Sequence, residues 1–144
     1  MEHGRVEVTL APAPADVAAL EAGMRAYELS VLPYLPDESA DIALHAFVHD
    51  GDGRVLGGVR GNCFWDGVEI DVVWVDDAAR GRGLGTALME AVEAEARRRG
   101  AVVAYLKTVM ARAFYERLGY VVFGVLEDRP IGTELFFMKK RLDA

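Results

Sequence analysis

The stretch Arg80-Gly81-Arg82-Gly83-Leu84-Gly85 decides the fold, because of what stands on either side of it. Before it runs Glu69-Ile70-Asp71-Val72-Val73-Trp74-Val75, rich in β-branched residues and strand-like. After it, from Leu84, apolar residues recur at helical spacing. Strand, glycine-rich turn and helix in that order aim several backbone N–H groups at one point. The helix macrodipole adds roughly half a positive charge there. The turn is built to hold an anion such as phosphate, and Arg80 and Arg82 add charge to it.

Working outward, Leu84, Leu88, Ala91 and Val92 form the apolar stripe of a helix over residues 84–99, with Gly100 to end it. Glu93 with Arg97 and Glu95 with Arg99 stand as i,i+4 surface pairs in the favourable order. Upstream, residues 42–49 and 54–64 read as strands joined by Asp50-Gly51-Asp52-Gly53, and Asp66-Gly67 marks a hairpin into the strand over residues 68–75. Downstream, residues 101–107 are almost continuously apolar, as a parallel strand covered on both faces should be. A short helix over 111–118 closes at Gly119, and strands over 120–126 and 134–141 follow. Residues 5–10 alternate as a short first strand. Asp16 is placed to cap a helix carrying Val17, Leu20, Met24, Tyr27 and Leu29. Neither a repeat nor a linker interrupts this order, so residues 1–144 read as one α/β domain.

Composition narrows the function. A chain of 144 residues, 52% hydrophobic, has enough apolar side chains for one core. It carries a net charge of −7, and the clusters Arg97-Arg98-Arg99 and Lys139-Lys140-Arg141 are a helix end and a strand end, so no basic face for nucleic acid is expected. No apolar run is long enough for a bilayer, and Met1-Glu2-His3-Gly4-Arg5 lacks the apolar stretch of a signal peptide. Cys63 is alone, and His3, His45 and His49 have no zinc-like spacing. A cytoplasmic protein without a metal is the expectation.

The glycine turn, with Arg80, Gly83 and Gly85 in place, resembles the Gln/Arg-x-x-Gly-x-Gly/Ala signature of the GNAT family of N-acetyltransferases. The segment Phe114-Tyr115-Glu116-Arg117-Leu118-Gly119-Tyr120 resembles a second block of that family, and the likeness covers residues 16–142. It implies a mixed, mostly antiparallel sheet of six to seven strands flanked by helices, splayed between the fourth and fifth strands. It also implies acetyl-CoA as co-substrate. The pyrophosphate would lie over the amides of residues 81–86, including Gly81, Arg82 and Thr86. The pantetheine arm would enter the splay and pair with the chain at Val73 and Val75. Thr108 stands where many members carry an asparagine, which puts details of the pantetheine contact in question. A Rossmann site fits less well: Thr86 replaces its third glycine, and the next strand ends in Lys107 rather than an acidic ribose ligand.

The implied reaction is attack of a primary amine, on a small molecule or peptide, directly on the thioester. By resemblance Tyr115 assists the departing thiolate. A free alkyl amine has a pKa near 10, so a base is useful. Glu69 matches the place of a catalytic glutamate in some members, with Asp71 or a water as alternatives. Strand alternation sets Glu69, Asp71, Val73 and Val75 on one face. Tyr34, Asp71 and Glu127 are candidates for the acceptor side, where acidic groups would favour a cationic amine. The contrasting function is a non-catalytic module that senses acyl-CoA. Homodimers are frequent in the family, but no interface is legible in the sequence.

Overall fold

The structure, a computed structural model, describes residues 4–144. Residues 1–3, and with them His3 and most of the stretch read for signal-peptide character, lie outside the described residues. The chain divides into two compact units, one ending at Leu35 and one spanning Pro36–Ala144.

In the first unit, α1 spans Pro14–Val31. It starts earlier than Asp16 would cap it. Pro14 opens the helix, where a missing N–H costs nothing, and Asp16 sits in the first turn, where its charge favours the dipole. The strand expected over residues 5–10 is not formed. Alternation alone does not make a strand. A strand needs a neighbour for its N–H and C=O groups, and Pro12 and Pro14 shorten the reach of this one.

The second unit is a six-stranded sheet. Its strands are β1 (Ile42–His49), β2 (Val55–Phe64), β3 (Gly67–Val75), β4 (Val103–Thr108), β5 (Val121–Glu127) and β6 (Glu134–Arg141). They lie in the order β1-β2-β3-β4-β6-β5. Only β3 and β4 run parallel; every other pair is antiparallel. Helix α2 (Leu84–Arg98) makes the crossover between the parallel pair, and α3 (Arg112–Arg117) connects β4 to β5. No described helix is long and apolar enough to cross a membrane.

The β2–β3 hairpin turns one residue earlier than the Asp66-Gly67 signal implies. Phe64 pairs with Gly67, and Trp65 and Asp66 occupy the turn with φ of 47° and 62°. Gly67 is instead the first strand residue. There an added Cβ would sit 3.3 Å from the Val103 carbonyl oxygen, a reason for glycine in the strand rather than in the turn. The core lies between the sheet and α2, with Val68, Met89, Ala96, Ala104 and Met138 fully buried. α2 approaches β2 closely, because Gly61 offers no side chain: a Cβ there would meet Val68 at 3.0 Å and Val92 at 3.3 Å.

Two details of α2 differ from its sequence reading. The buried stripe is Leu88, Met89, Val92 and Ala96, while Ala91 is exposed. Glu95 does pair with Arg99, and with Arg98. Glu93, however, makes no surface pair with Arg97. It turns into the core, and Arg97 instead donates to the Leu142 carbonyl at 2.6 Å. Strand β4 is also less evenly covered than its apolar run implies, with Ala104 and Leu106 buried but Val103 and Tyr105 half-buried.

Candidate active site

The anion cradle forms where β3 hands over to α2. Asp76 ends the strand, receiving the Ala78 N–H on its side chain at 3.2 Å and an ion pair from Arg54. A short 3-10 turn over Asp77–Ala79 then leads into the glycines. Gly81 and Gly83 adopt φ of 82° and 74°, left-handed values that a side chain would strain. Gly83 is the N-cap of α2. Its carbonyl accepts from Ala87 at 3.0 Å. Among the described residues, no protein group accepts from the N–H groups of residues 81–86. A run of unpaired donors at a helix N-terminus, with open space above Gly81 and Gly83, fits a diphosphate.

The two arginines of the turn behave differently. Arg80 is tied into it, donating through Nε to the Val75 carbonyl at 3.1 Å and pairing with Asp77 at 2.7 Å. Arg82 makes one contact with the Ala78 carbonyl, at 3.5 Å. Arg80 thus braces the loop, and Arg82 is the freer cation.

Two clefts open from this region. One, of about 430 Å³, runs from Gly81, Gly83 and Thr86 past Val75 to Phe114 and Tyr115. The other, of about 380 Å³, is lined by Asp71, Val72, Thr108, Met110 and Tyr115. Val73, Ala111 and Tyr115 line both. The second cleft exists because β3 and β4 part company. Only Gly67 through Ile70 face β4, opposite Val103 through Leu106, while β3 runs on to Val75. This is the splay expected between the fourth and fifth strands, at the third and fourth here because the first expected strand is missing.

Tyr115 sits at the junction. It is buried, and burial pushes its phenol pKa up, so the group is a neutral hydrogen-bond donor at ordinary pH. Its ring packs edge-on against Phe114 at 5.0 Å and Tyr120 at 5.9 Å. Thr108 also lines the splay, and its Oγ1 accepts from the Ala111 N–H at 3.0 Å, fixing the turn that leads into α3.

The carboxylates are not arranged as simple alternation predicts. Arg60 pairs with Val72 but Gly61 pairs with Ile70, so Asp71 is an extra, bulged residue in β3. Beyond it the phase of the strand reverses. Val73 and Val75 join Val68 and Ile70 against the core, and Glu69 is left on the opposite face. Glu69 lines neither cleft. It is bound by the Tyr105 phenol across the parallel pair, and that phenol is pushed up to about 12 by burial first, then by the bond to Glu69 and its charge. Asp71 does line the splay, with Arg60 donating to it through Nε at 2.8 Å and Nη2 at 2.6 Å. Glu127 ends β5 on the surface, outside both clefts. Tyr34 belongs to the first unit.

Sequence reasoning missed Met110, Ala111 and Phe114 as cleft walls, Tyr105 as the partner of Glu69, and Arg60 as the partner of Asp71. Phe114 alone carried a signal, as the neighbour of the motif tyrosine. No group of three or more His, Cys, Asp or Glu positioned to hold a metal occurs among the described residues.

Residues 17–120 match the model of the Acetyltransferase (GNAT) family. The chain is a GNAT acetyltransferase. It is 36% identical over 93 residues to the blasticidin-S acetyltransferase of Streptomyces morookaense, covering 62% of this chain and 68% of that one. It is 31% identical over 106 residues to the acetyltransferase Atu2258 of Agrobacterium fabrum, covering 72% and 77%. The crystal structure of an acetyltransferase from Bacillus cereus superposes with a TM-score of 0.81 at 27% identity, over 94% of this chain and 97% of that one. Acetyl transfer dependent on acetyl-CoA is therefore the general activity of this GNAT enzyme.

Proposed function

We propose that this acetyltransferase moves the acetyl group to a primary amine of a small molecule or peptide, by direct attack on the thioester. It does so as one domain over residues 1–144; the family match crosses the boundary between the two compact units. The observation that carries the reading is the meeting of two clefts at Val73 and Tyr115, one reaching the cradle and the other reaching Asp71.

The residues divide the work. The amides of residues 81–86 and the Arg82 side chain hold the diphosphate of acetyl-CoA. Beyond Ile70, the β3 edge facing β4 is open, so the backbone at Val73 and Val75 is available to pair with the pantetheine amides. An amide of the same segment is placed to donate to the thioester carbonyl as negative charge grows on it. Tyr115, shared by both clefts, donates to the departing sulfur.

On the acceptor side, Asp71 is the carboxylate in the cleft and the group that receives a cationic amine and takes its proton, directly or through a water. Glu69 reaches the same proton only by a water path around β3, because the bulge turns it to the other face.

The test is thiol release from acetyl-CoA with a panel of amines. It should include a polyamine, an aminoglycoside, a lysine peptide and, given the relative at 36% identity, blasticidin S. Turnover should be faster with cationic than with neutral amines, and Asp71→Asn should lower it more than Glu69→Gln. Tight binding of CoA with no turnover of any amine would reject the enzyme reading in favour of an acyl-CoA sensor. A preference for neutral acceptors would reject the role given to Asp71.

A further inference from the structure

Glu93 is an ionisable side chain only 4% exposed, on the core side of α2, and no step described above uses it. Burial of a carboxylate is costly unless it is bonded and paired, and here both conditions are met. Tyr120 donates its hydroxyl to Glu93 Oε2 at 2.8 Å, and Lys140 Nζ donates to Oε1 at 2.7 Å. Lys140 reaches this point from β6 across Gly119, where an added Cβ would stand 3.5 Å from Lys140 Cε. Its ammonium also lies 5.7 Å from the centre of the Tyr120 ring. Helix α2, strand β6 and the connection from α3 to β5 are joined at one carboxylate.

The other face of this cluster is the Tyr115 ring. Tyr120 is 1% exposed, and its ring meets Tyr115 edge-on at 5.9 Å. The main chain repeats the link, since the Tyr115 carbonyl accepts from both Leu118 and Tyr120 at 3.0 Å. On the far side, Phe114 touches Tyr115 and presses on the first turn of α2, where an added Cβ at Gly85 would meet it at 3.2 Å. The short helix carrying Tyr115 is therefore held to α2 twice. Phe114 holds it at the cradle end, and Tyr120 with Glu93 holds it two turns further along.

We infer that Glu93 is a positioning residue, which fixes the Tyr115 phenol relative to the diphosphate cradle through the hydroxyl of Tyr120. Lys140, donating to Oε1, holds the Glu93 carboxylate in place. The inference rests on Tyr115 being the donor to the leaving sulfur. Geometry matters at that step because a donor displaced by a fraction of an ångström loses much of its hold on a developing charge.

Coenzyme A itself is the probe, so no acceptor need be known. With the full chain, the ultraviolet absorbance of the thiolate of bound coenzyme A is titrated against pH, with the desulfo analogue as blank to remove tyrosinate. Donation from Tyr115 favours the thiolate, so Tyr115→Phe should raise the titration midpoint by about one pH unit, a tenfold change in thiolate. Tyr120→Phe and Glu93→Gln should each raise it by about half a unit, roughly threefold, with the Kd for coenzyme A within about twofold of the parent. In the Tyr115→Phe background, Tyr120→Phe should add nothing.

An unchanged midpoint in Tyr120→Phe and Glu93→Gln, where Tyr115→Phe does raise it, overturns the inference and spares the role of Tyr115. An equal shift from Tyr120→Phe in both backgrounds also overturns it, since the effect then bypasses Tyr115. No shift from Tyr115→Phe rejects the role of Tyr115, and the inference with it. If Glu93→Gln fails to fold, Tyr120→Phe, which keeps the ring and loses one hydroxyl, decides alone.

Discussion

Removing the hydroxyl of Tyr115 separates donation from binding, because the group touches both clefts but not the cradle. Full proton transfer from a phenol of pKa near 10 to a thiolate of pKa near 8.5 runs uphill by about 2 kcal/mol, and burial of Tyr115 raises that barrier further. A hydrogen bond to the leaving sulfur is therefore the role proposed for Tyr115. Tyr115→Phe should lower kcat by about 10²-fold and leave the affinity for acetyl-CoA nearly unchanged, as measured by thiol release and by direct titration. Tyr105 carries a prediction about pH. Its phenol is raised to about 12 in the folded protein, so the folded state holds that proton more tightly than the unfolded chain does. The resulting stabilisation is complete below pH 10 and is lost as pH rises from about 10 to about 12. Chemical denaturation over that range should show the decline, and Tyr105→Phe should flatten it. At this scale, the position of Tyr115 on the short helix and that of the glycine turn between β3 and α2 were legible in the sequence, because each is fixed by its immediate neighbours. The face occupied by Glu69 was not, because it depends on how β3 aligns with β2.

The glycine turn and α2 act as one element. Gly83 stands at the N-cap with a left-handed φ of 74°, and its Cβ position opens onto the cradle. Gly83→Ala carries a backbone strain of about 1 kcal/mol and puts a methyl group where the diphosphate approaches. The KM for acetyl-CoA should rise about tenfold while kcat holds, a pattern opposite to that of Tyr115→Phe. Most elements could be placed from periodicity: β1 and β6 agree at both ends, and α2 and β3 agree to within a residue. The exceptions share a cause. The strand over residues 5–10 lacks a partner, the hairpin turn is shifted by the close approach of Val103, and Glu93 faces inward to meet residues far along the chain. In each case the deciding contact is distant in sequence, where local patterns carry no signal.

In the second unit, the sheet and α2 approach so closely that one small residue sets the spacing. Gly61→Val would drive a branched side chain into Val68 and Val92, and the layers would have to separate. Urea unfolding should show a loss of about 1–3 kcal/mol, and the cradle should weaken with it, because α2 would no longer sit at its present height above β3. Charge also acts over the whole chain. The net charge of −7 opposes an anionic co-substrate at long range, while the local donors attract it. Salt screens the first effect more than the second, so Arg82→Ala should weaken coenzyme A binding at low and at high ionic strength alike, which calorimetry can follow.

The extra residue at Asp71 works like a frameshift within a single strand. Upstream, odd-numbered side chains face away from α2; downstream, they face toward it. Strict alternation of the same nine residues, with no bulge at Asp71, would leave every secondary-structure element recognisable and yet turn the cleft wall inside out, with Val73 and Val75 exchanged for Val72 and Trp74. A protein of the same composition and fold would then present indole, rather than valine, to the place proposed for the thioester. One inserted residue thus fixes which side chains of β3 face the core and line the clefts.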